Sequence, residues 1–454
     1  MPKITAYTGA SGPVDLQQNS ATPPDPNGAV NANYIVEFTN DFFSIYDKAT
    51  GTLVPPRTEA KTFWLYAGIP DGVWGVVDPR LLFIPDAGRY GQWLAVQLDL
   101  GNRVLMATTS PDDPLTDPRI RKWKGSAFDF PGNDFTMLGY DARWAYIGTN
   151  AAIGQQARVP KIAVIPRSKA LAWPPQVGPA DVKFIGPLPP QDYGSNLYPV
   201  IDPSGDGTVG LAVGIDNIGK NHLTWSLISN GTIVAHDKIE VPAFYTVPPD
   251  HVIKQPYDQN GNLSRIIYNN EGVVAAPMGD GSNIWVAHTI ASGPVGKDPE
   301  THLGVRWYRL AIDPVSRRPS LAKCGVIGYQ EYDFFNPSIL SFGKDDYTIV
   351  SMSRSGNSWT SSHPGSPDCG NIGAYVAVVR ETSDDFWYEV FALRSGQAND
   401  YIPNVKQRWG DYSTICRDPT SPRTAWIFNQ YVTQGGQSTS LNCDVIARIE
   451  LPPA

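Results

Sequence analysis

A short hairpin pattern recurs seven times along this chain, and few folds accommodate such a repeat. Each copy has a polar opening, a short strand, a turn led by Asp or Gly, and a second strand rich in aromatic and branched residues. That order is the signature of a β-hairpin. Asp134-Phe135-Thr136-Met137-Leu138-Gly139-Tyr140-Asp141 runs into Trp144-Ala145-Tyr146-Ile147, and Asp411-Tyr412-Ser413-Thr414-Ile415-Cys416-Arg417-Asp418 runs into Trp426-Ile427-Phe428-Asn429. Asp25-Pro26-Asn27-Gly28 leads to Tyr34-Ile35-Val36, Asp78-Pro79-Arg80-Leu81 to Trp93-Leu94-Ala95, and Asn336-Pro337-Ser338-Ile339 to Tyr347-Thr348-Ile349. Tyr198-Pro199-Val200-Ile201-Asp202 turns through Gly205-Asp206-Gly207 into Leu211-Ala212-Val213. Val273-Val274-Ala275-Ala276, followed by Gly279-Asp280-Gly281 and Ile284-Trp285-Val286, is a looser copy.

The copies start near positions 25, 78, 134, 198, 273, 336 and 411. A four-stranded propeller blade takes roughly 40 to 65 residues, and longer blades carry loop insertions, so seven blades fill the chain. The expected fold is therefore all-β: one seven-bladed β-propeller over residues 1–454, with four-stranded antiparallel blades. A pair of β-sandwiches gives no reason for a sevenfold hairpin. Composition agrees, because 42 Gly, 41 Pro and 11% aromatic residues suit frequent turns between short strands. Cys443-Asp444-Val445-Ile446-Ala447-Arg448-Ile449 alternates as a strand, and Lys3-Ile4-Thr5-Ala6-Tyr7 can lie beside it to close the ring. The one helix expected is short, around Arg167-Ser168-Lys169-Ala170-Leu171.

A formal net charge of −8 argues against nucleic acid or an anionic membrane surface as partner. No apolar run is long enough to span a bilayer. No phosphate-binding Gly loop, H-E-x-x-H or G-x-S-x-G occurs, which leaves nucleotide enzymes, zincins and serine hydrolases without support.

Pro23-Pro24-Asp25-Pro26-Asn27-Gly28-Ala29-Val30, followed by Ile45-Tyr46-Asp47-Lys48-Ala49-Thr50-Gly51, resembles the N-terminal signature of exported bacterial sialidase-like propellers, the Asp-box-repeat group. Arg306-Trp307-Tyr308 and Arg408-Trp409-Gly410-Asp411-Tyr412-Ser413 match two further signatures of that group. The resemblance implies the fold and says little of activity. Sialidase Asp boxes read Ser-x-Asp-x-Gly-x-Thr-Trp, whereas Ser204-Gly205-Asp206-Gly207-Thr208 lacks the Gly and Trp at their places, and the Arg-Ile-Pro element is absent. Sialidase activity itself is not expected. Met1-Pro2-Lys3-Ile4-Thr5-Ala6 has no apolar leader core. With the resemblance, the expectation is a secreted or periplasmic protein whose leader is absent from this chain, with a cytoplasmic location as the alternative.

In a propeller the first strand of each blade lines the channel and starts near one mouth. Here those starts are Asp25 or Asn27, Asp78, Asp134, Asn336 and Asp411. A ring of carboxylates and amides can grip a sugar or a cation such as calcium; Asp78, Asp134 and Asp411 are the candidate cation ligands, although no cofactor is required. The competing reading has each side chain hydrogen-bonding the backbone of the next blade, as Asx turns do. Asp202-Pro203-Ser204-Gly205-Asp206-Gly207-Thr208 resembles half a calcium loop, but Val213 stands where a bidentate Glu is needed, so a hairpin turn explains it.

The expected function is a carbohydrate-active propeller, a polysaccharide lyase or glycoside hydrolase with its site at the channel mouth. The rival is a non-catalytic scaffold that holds a glycan or a protein. A hydrolase needs two carboxylates, for which Asp134 and Asp411 are the candidates. A lyase needs a base and a charge-neutralising group, for which His288 or Tyr412 with Arg306 or Arg408 would serve. Trp307, Trp409, Asp78 and Arg80 complete the set of candidate ligand contacts. Converging ionisable side chains would mark an enzyme, and an exposed aromatic patch without them a binder. Finally, Cys324, Cys369, Cys416 and Cys443 are even in number, and the expected pairs are Cys324 with Cys369 and Cys416 with Cys443, each within one blade.

Overall fold

The computed structural model describes all residues except 9–22, 70–72, 74, 153–157, 206, 217–220, 246, 248–250, 254–265, 269–273, 293–301, 329–331, 345, 357–369, 383–384, 398–406, 435–439 and 453–454. Seven four-stranded antiparallel sheets form a β-propeller. The innermost strands of blades 1 to 7 are Asn27–Val30, Val76–Ile84, Met137–Tyr140, Leu197–Pro199, Met278–Gly279, Tyr332–Ser341 and Thr414–Arg417. Each begins within five residues of the hairpin start expected from sequence. Blade 7 takes its outermost strand from the other end of the chain: Lys3–Thr8 pairs antiparallel with Ser440–Glu450, from Lys3 opposite Glu450 to Thr8 opposite Val445. The ring closes as the alternating termini predict.

Burial grades outward through each blade. In blade 2 every residue of the second strand, Gln92–Asp99, is buried, so that strand shows no polar alternation. The outermost strand of blade 4, Thr232–Glu240, is mostly exposed and alternates. Neighbouring blades share cores. Phe38, Phe43, Phe63 and Trp64 join blade 1 to Leu105 and Trp123 of blade 2, and Val30, Ile35 and Tyr46 join blade 1 back to Trp426 and Phe428 of blade 7. Gly28 is required for that last contact, because a Cβ there would meet the Phe428 ring at 2.2 Å. No blade could bury its faces alone, as the repeat logic requires.

Three features were not foreseen. The helix Ala60–Tyr66 follows blade 1 and packs Phe63 and Trp64 against blade 2, with Trp64 Nε1 donating to Gln97 Oε1 at 2.6 Å. Its neighbours Leu65 and Tyr66 are exposed. The helix Pro190–Tyr193 lies before blade 4, while the expected helix is present at Arg167–Ala170. A small three-stranded sheet of His251–Ile253, Ile266–Tyr268 and Gln407–Arg408 lies outside the blades.

The expected bridge between Cys416 and Cys443 does not form; both thiols are free. Cys416 lies on the innermost strand of blade 7 and pairs with Trp426, whereas Cys443 lies on the third strand and pairs with Tyr431. A whole strand separates them, and they sit at different heights along it. Cys324, on the outer strand Pro319–Ile327 of blade 5, is also free, and Cys369 lies outside the described residues.

Candidate functional site

The end of the channel where the inner strands begin is built around one backbone device. Asp25, Asp78 and Asn336 each precede a proline and each adopts a left-handed conformation, with φ of 47°, 56° and 48°. Asp and Asn tolerate that region best among residues with a side chain. Proline has no N–H for the ladder, and the pairing register slips between Val77 and Arg80 and between Phe335 and Ser338. The bulge turns the polar side chain out of its own blade toward a neighbour.

Hydrogen bonds then lace the blades together. Asp25 Oδ1 accepts from the Asp411 amide of blade 7 at 2.5 Å, and Asp25 Oδ2 from Asn40 Nδ2 at 2.8 Å. Asn40 Oδ1 accepts the Asp78 amide of blade 2 at 2.7 Å, and Asp78 Oδ2 accepts the Phe135 amide of blade 3 at 2.9 Å. Asn27 reaches both ways, accepting the Leu81 amide at 2.8 Å and donating to Thr414 Oγ1 at 2.7 Å. Asn336 Nδ2 donates to the Gly410 carbonyl at 2.6 Å, and Ser413 Oγ donates to the Asn336 carbonyl at 3.0 Å.

Within this lacing, carboxylate oxygens of Asp25, Asp78 and Asp411 all lie within 4.8 Å of one another. Asp25 takes the place expected for Asp134 in that trio. Asp134 stands close enough to act on Asp78 electrostatically, and its Oδ1 accepts its neighbour's amide, Phe135 N, at 3.1 Å. Asp25 and Asp78 are buried, whereas Asp134 and Asp411 are half-buried. Burial pushes the Asp78 carboxyl up to about 7, with Asp411 and then Asp134 adding repulsion, against the pull of Arg80 and the Phe135 N–H.

Arg80 brings the only guanidinium that the described contacts place among these acids. Its Nε donates to the Thr136 carbonyl at 2.6 Å, and its guanidinium carbon lies 3.4 Å from the Tyr412 ring centroid, with the Phe135 and Tyr198 rings at 5.6 and 5.8 Å. Burial works against its charge, and Tyr198, Tyr412, Asp78 and Asp25 outweigh that cost. Its Nη2 is buried without a hydrogen-bond partner. Arg80, Tyr412, Asp411, Asn336 and Phe135 surround a small space of about 20 Å³, enough for one water. The oxygen spacing suits a hard cation, which Asp25, Asp78 and Asp411 would hold, but Arg80 already supplies a positive charge there.

The other sequence candidates lie elsewhere. His288 is buried in the second strand of blade 5, where Nε2 is 2.9 Å from Tyr308 Oη and the two rings stack with an interplanar angle of 2°. Burial pushes it down to about 3, so it is neutral at ordinary pH. Arg306 donates to the carbonyls of Pro242 and Ala243 at 2.6 and 3.0 Å. Trp307 is fully buried against Phe386, and Trp409 donates from Nε1 to Ser353 Oγ at 2.9 Å between blades 6 and 7. Neither indole presents a face to solvent. Tyr412 is buried with its hydroxyl donating to the Pro79 carbonyl at 2.9 Å, and burial pushes its phenol well above the ordinary range. The Arg408 side chain lies outside the described residues. Sequence reasoning missed Asn40, which bridges Asp25 to blade 2; the polar run Thr39-Asn40-Asp41 ending the strand Tyr34–Phe38 was its only signal.

No family model matches the chain, and no curated protein matches it. Among solved structures, the chain is similar to the GH93 α-L-arabinofuranosidase of Fusarium graminearum with arabinobiose, at 9% identity and TM-score 0.39, covering 97% of each chain. It is also similar to a subtype N11 neuraminidase-like protein of A/flat-faced bat/Peru/033/2010, at 11% identity and TM-score 0.38, covering 96% of this chain and 98% of that one. Drosophila Plexin A, in complex with Semaphorin 1b, is similar at 7% identity and TM-score 0.43, covering 99% of this chain and 88% of that one. Likenesses this distant assign neither an activity nor a ligand to this chain.

Proposed function

We propose that this propeller is a glycoside hydrolase whose substrate lies over the acidic channel mouth, with Asp411 and Asp134 as the carboxyl groups that touch it. One observation carries the reading. Carboxyl groups converge with Arg80 at a single mouth, where Asp78, pushed up to about 7 by burial, has a carboxylate oxygen within 4.8 Å of one of Asp411. Glycoside hydrolysis uses such a pair: one carboxyl protonates the leaving oxygen as the glycosidic C–O bond breaks, and the other serves the attack on the anomeric carbon. Water supplies hydroxyl to the sugar and returns a proton to the acid. Asp78 acts through Asp411 as a positioning residue. The lyase variant is less well supported, since His288 is enclosed and Tyr412 is already bound to a backbone carbonyl.

The lacing itself favours a second reading, in which the ring of acids is architecture alone, because Asp25 and Asp78 accept amides from neighbouring blades. The two part on Asp411→Asn and Asp134→Asn. On a panel of glycans read by reducing-end release and unsaturated-uronate formation, a hydrolase loses at least about 100-fold in turnover in each variant while its melting temperature stays within a few degrees. A fall in melting temperature with turnover unchanged would establish architecture. No release from any glycan by the unaltered protein would dismiss the enzyme.

A further inference from the structure

The channel has a second end. In every blade the residues lining its successive spaces advance along the chain, from Asp411 through Ser413 to Arg417 in blade 7 and from Asn336 through Ile339 to Ser341 in blade 6. Beyond the acidic mouth, a narrow section of about 40 Å³ passes between Leu82, Ile201, Met278 and Ile415. It leads to a cavity of about 240 Å³ walled by Val30, Phe83, Tyr140, Met278, Leu340 and Cys416. A dry cavity of roughly 150 Å³ already takes benzene, so this one admits a larger apolar body.

Its rim is asymmetric in charge. Asp280 already accepts the Ser282 and Asn283 amides on Oδ1 at 2.9 and 2.7 Å. Arg417 is turned over the rim by one bond, Nη2 to the Ser341 carbonyl at 2.6 Å, and by the Phe342 ring, whose centroid is 4.8 Å from its guanidinium carbon. Asp280 and Asp346 stand near enough to act on its charge, but it makes no ion pair with either among the described residues, so its remaining N–H donors can take an anion. We propose that this cavity is a binding site for a single-chain amphiphile with an anionic head, the head on Arg417 and the alkyl chain running inward toward Cys416 and the narrow section. A linear chain suits a cavity that tapers, and the site is independent of the acidic mouth and of any hydrolase activity.

The probes are butanoate, hexanoate and octanoate, followed by calorimetry and by the fluorescence of Trp285 in the cavity wall. Saturable binding that tightens about tenfold for every two carbons is expected. Arg417→Gln should weaken octanoate about tenfold and leave octan-1-ol unchanged. Ser204→Trp, at an exposed rim position, should abolish binding of both with the circular dichroism of the protein unaltered. No saturable octanoate binding, affinity independent of chain length, or octyltrimethylammonium bound as tightly as octanoate would each overturn the proposal. Should Ser204→Trp misfold, the Arg417→Gln comparison decides alone.

Discussion

The two ends of the channel are made from the same seven strands and held by opposite means. At the end where the strands begin, Asp25, Asn27, Asn40, Asp78 and Asn336 tie blade to blade through hydrogen bonds, and Asp25, Asp78 and Arg80 are packed out of water beside the half-buried Asp411. At the far end Val30, Leu82, Tyr140, Met278 and Leu340 surround open space with few polar groups. Apolar walls tolerate a void because no group is left unpaired, whereas buried polar groups demand partners. The polar end is therefore specified residue by residue and sensitive to pH, while the apolar end has slack that a ligand can use.

The largest test of this contrast is Arg80→Ala. Removing a buried guanidinium leaves Asp25, Asp78 and Asp411 facing one another without a cation, and breaking such a cluster costs about 3–5 kcal/mol. Denaturant melts at pH 8 should show that loss, and at pH 5, where Asp78 keeps its proton, a smaller one. Leu340→Ala in the far wall should cost about 2–3 kcal/mol by lost burial, with the same value at both pH values. Equal pH dependence in the two variants would erase the distinction between the ends.

Asp78→Asn sharpens it further. The native carboxyl titrates at about 7, against about 3.9 in the unfolded chain. Between those values the folded state keeps a proton that the unfolded state releases, so Asp78 makes stability fall as pH rises from about 4 to about 7, and the loss is complete above 7. Asn keeps an oxygen for the Phe135 amide and carries no charge. The variant should match the unaltered protein near pH 4, melt higher at pH 8, and show a flatter stability profile between. A steeper profile would mean that the charged form of Asp78 is the one the fold prefers. His288 has the opposite sign: pushed down to about 3 by burial, it contributes stability above about pH 6.5 that is lost as pH falls toward 3. His288→Phe should remove that acid limb by trading one buried ring for another.

The contrast also explains what could be read in the sequence. Polar openings repeated at blade spacing announce both the ring and the acids at its mouth, because Asp78-Pro79 and Asn336-Pro337 sit at the same place in each hairpin. Local chemistry fixes that place: left-handed Asp or Asn, then a residue with no N–H to donate. What sequence could not supply is direction across the ring. Trp307 and Trp409 carry the same local pattern as ligand-stacking residues, and only the neighbouring blade shows that Phe386 and Ser353 already meet them. The far cavity left no trace at all, since Val30, Leu82 and Leu340 read as ordinary core and the space between them belongs to no one segment.

The smallest expected effect is at Cys416, and it tests the slack directly. Its thiol is free on the inner strand, and burial pushes it up to about 12. Thiolate is the reactive form, so an aromatic disulfide reagent should leave Cys416 untouched in the folded protein at pH 8. Cys443, pushed up to about 11 by burial, should behave alike. Unfolding without reductant should release both thiols, and a count lacking them would restore the bridge that the strand order denies. Cys416→Val replaces a small apolar side chain by another of similar size that favours a strand, beside a cavity able to absorb the difference. Stability should change by less than about 1 kcal/mol, several times less than for Arg80→Ala on the same channel wall. A loss above about 2 kcal/mol would show that the far end is packed as tightly as the near one, and would remove the room on which a ligand there depends.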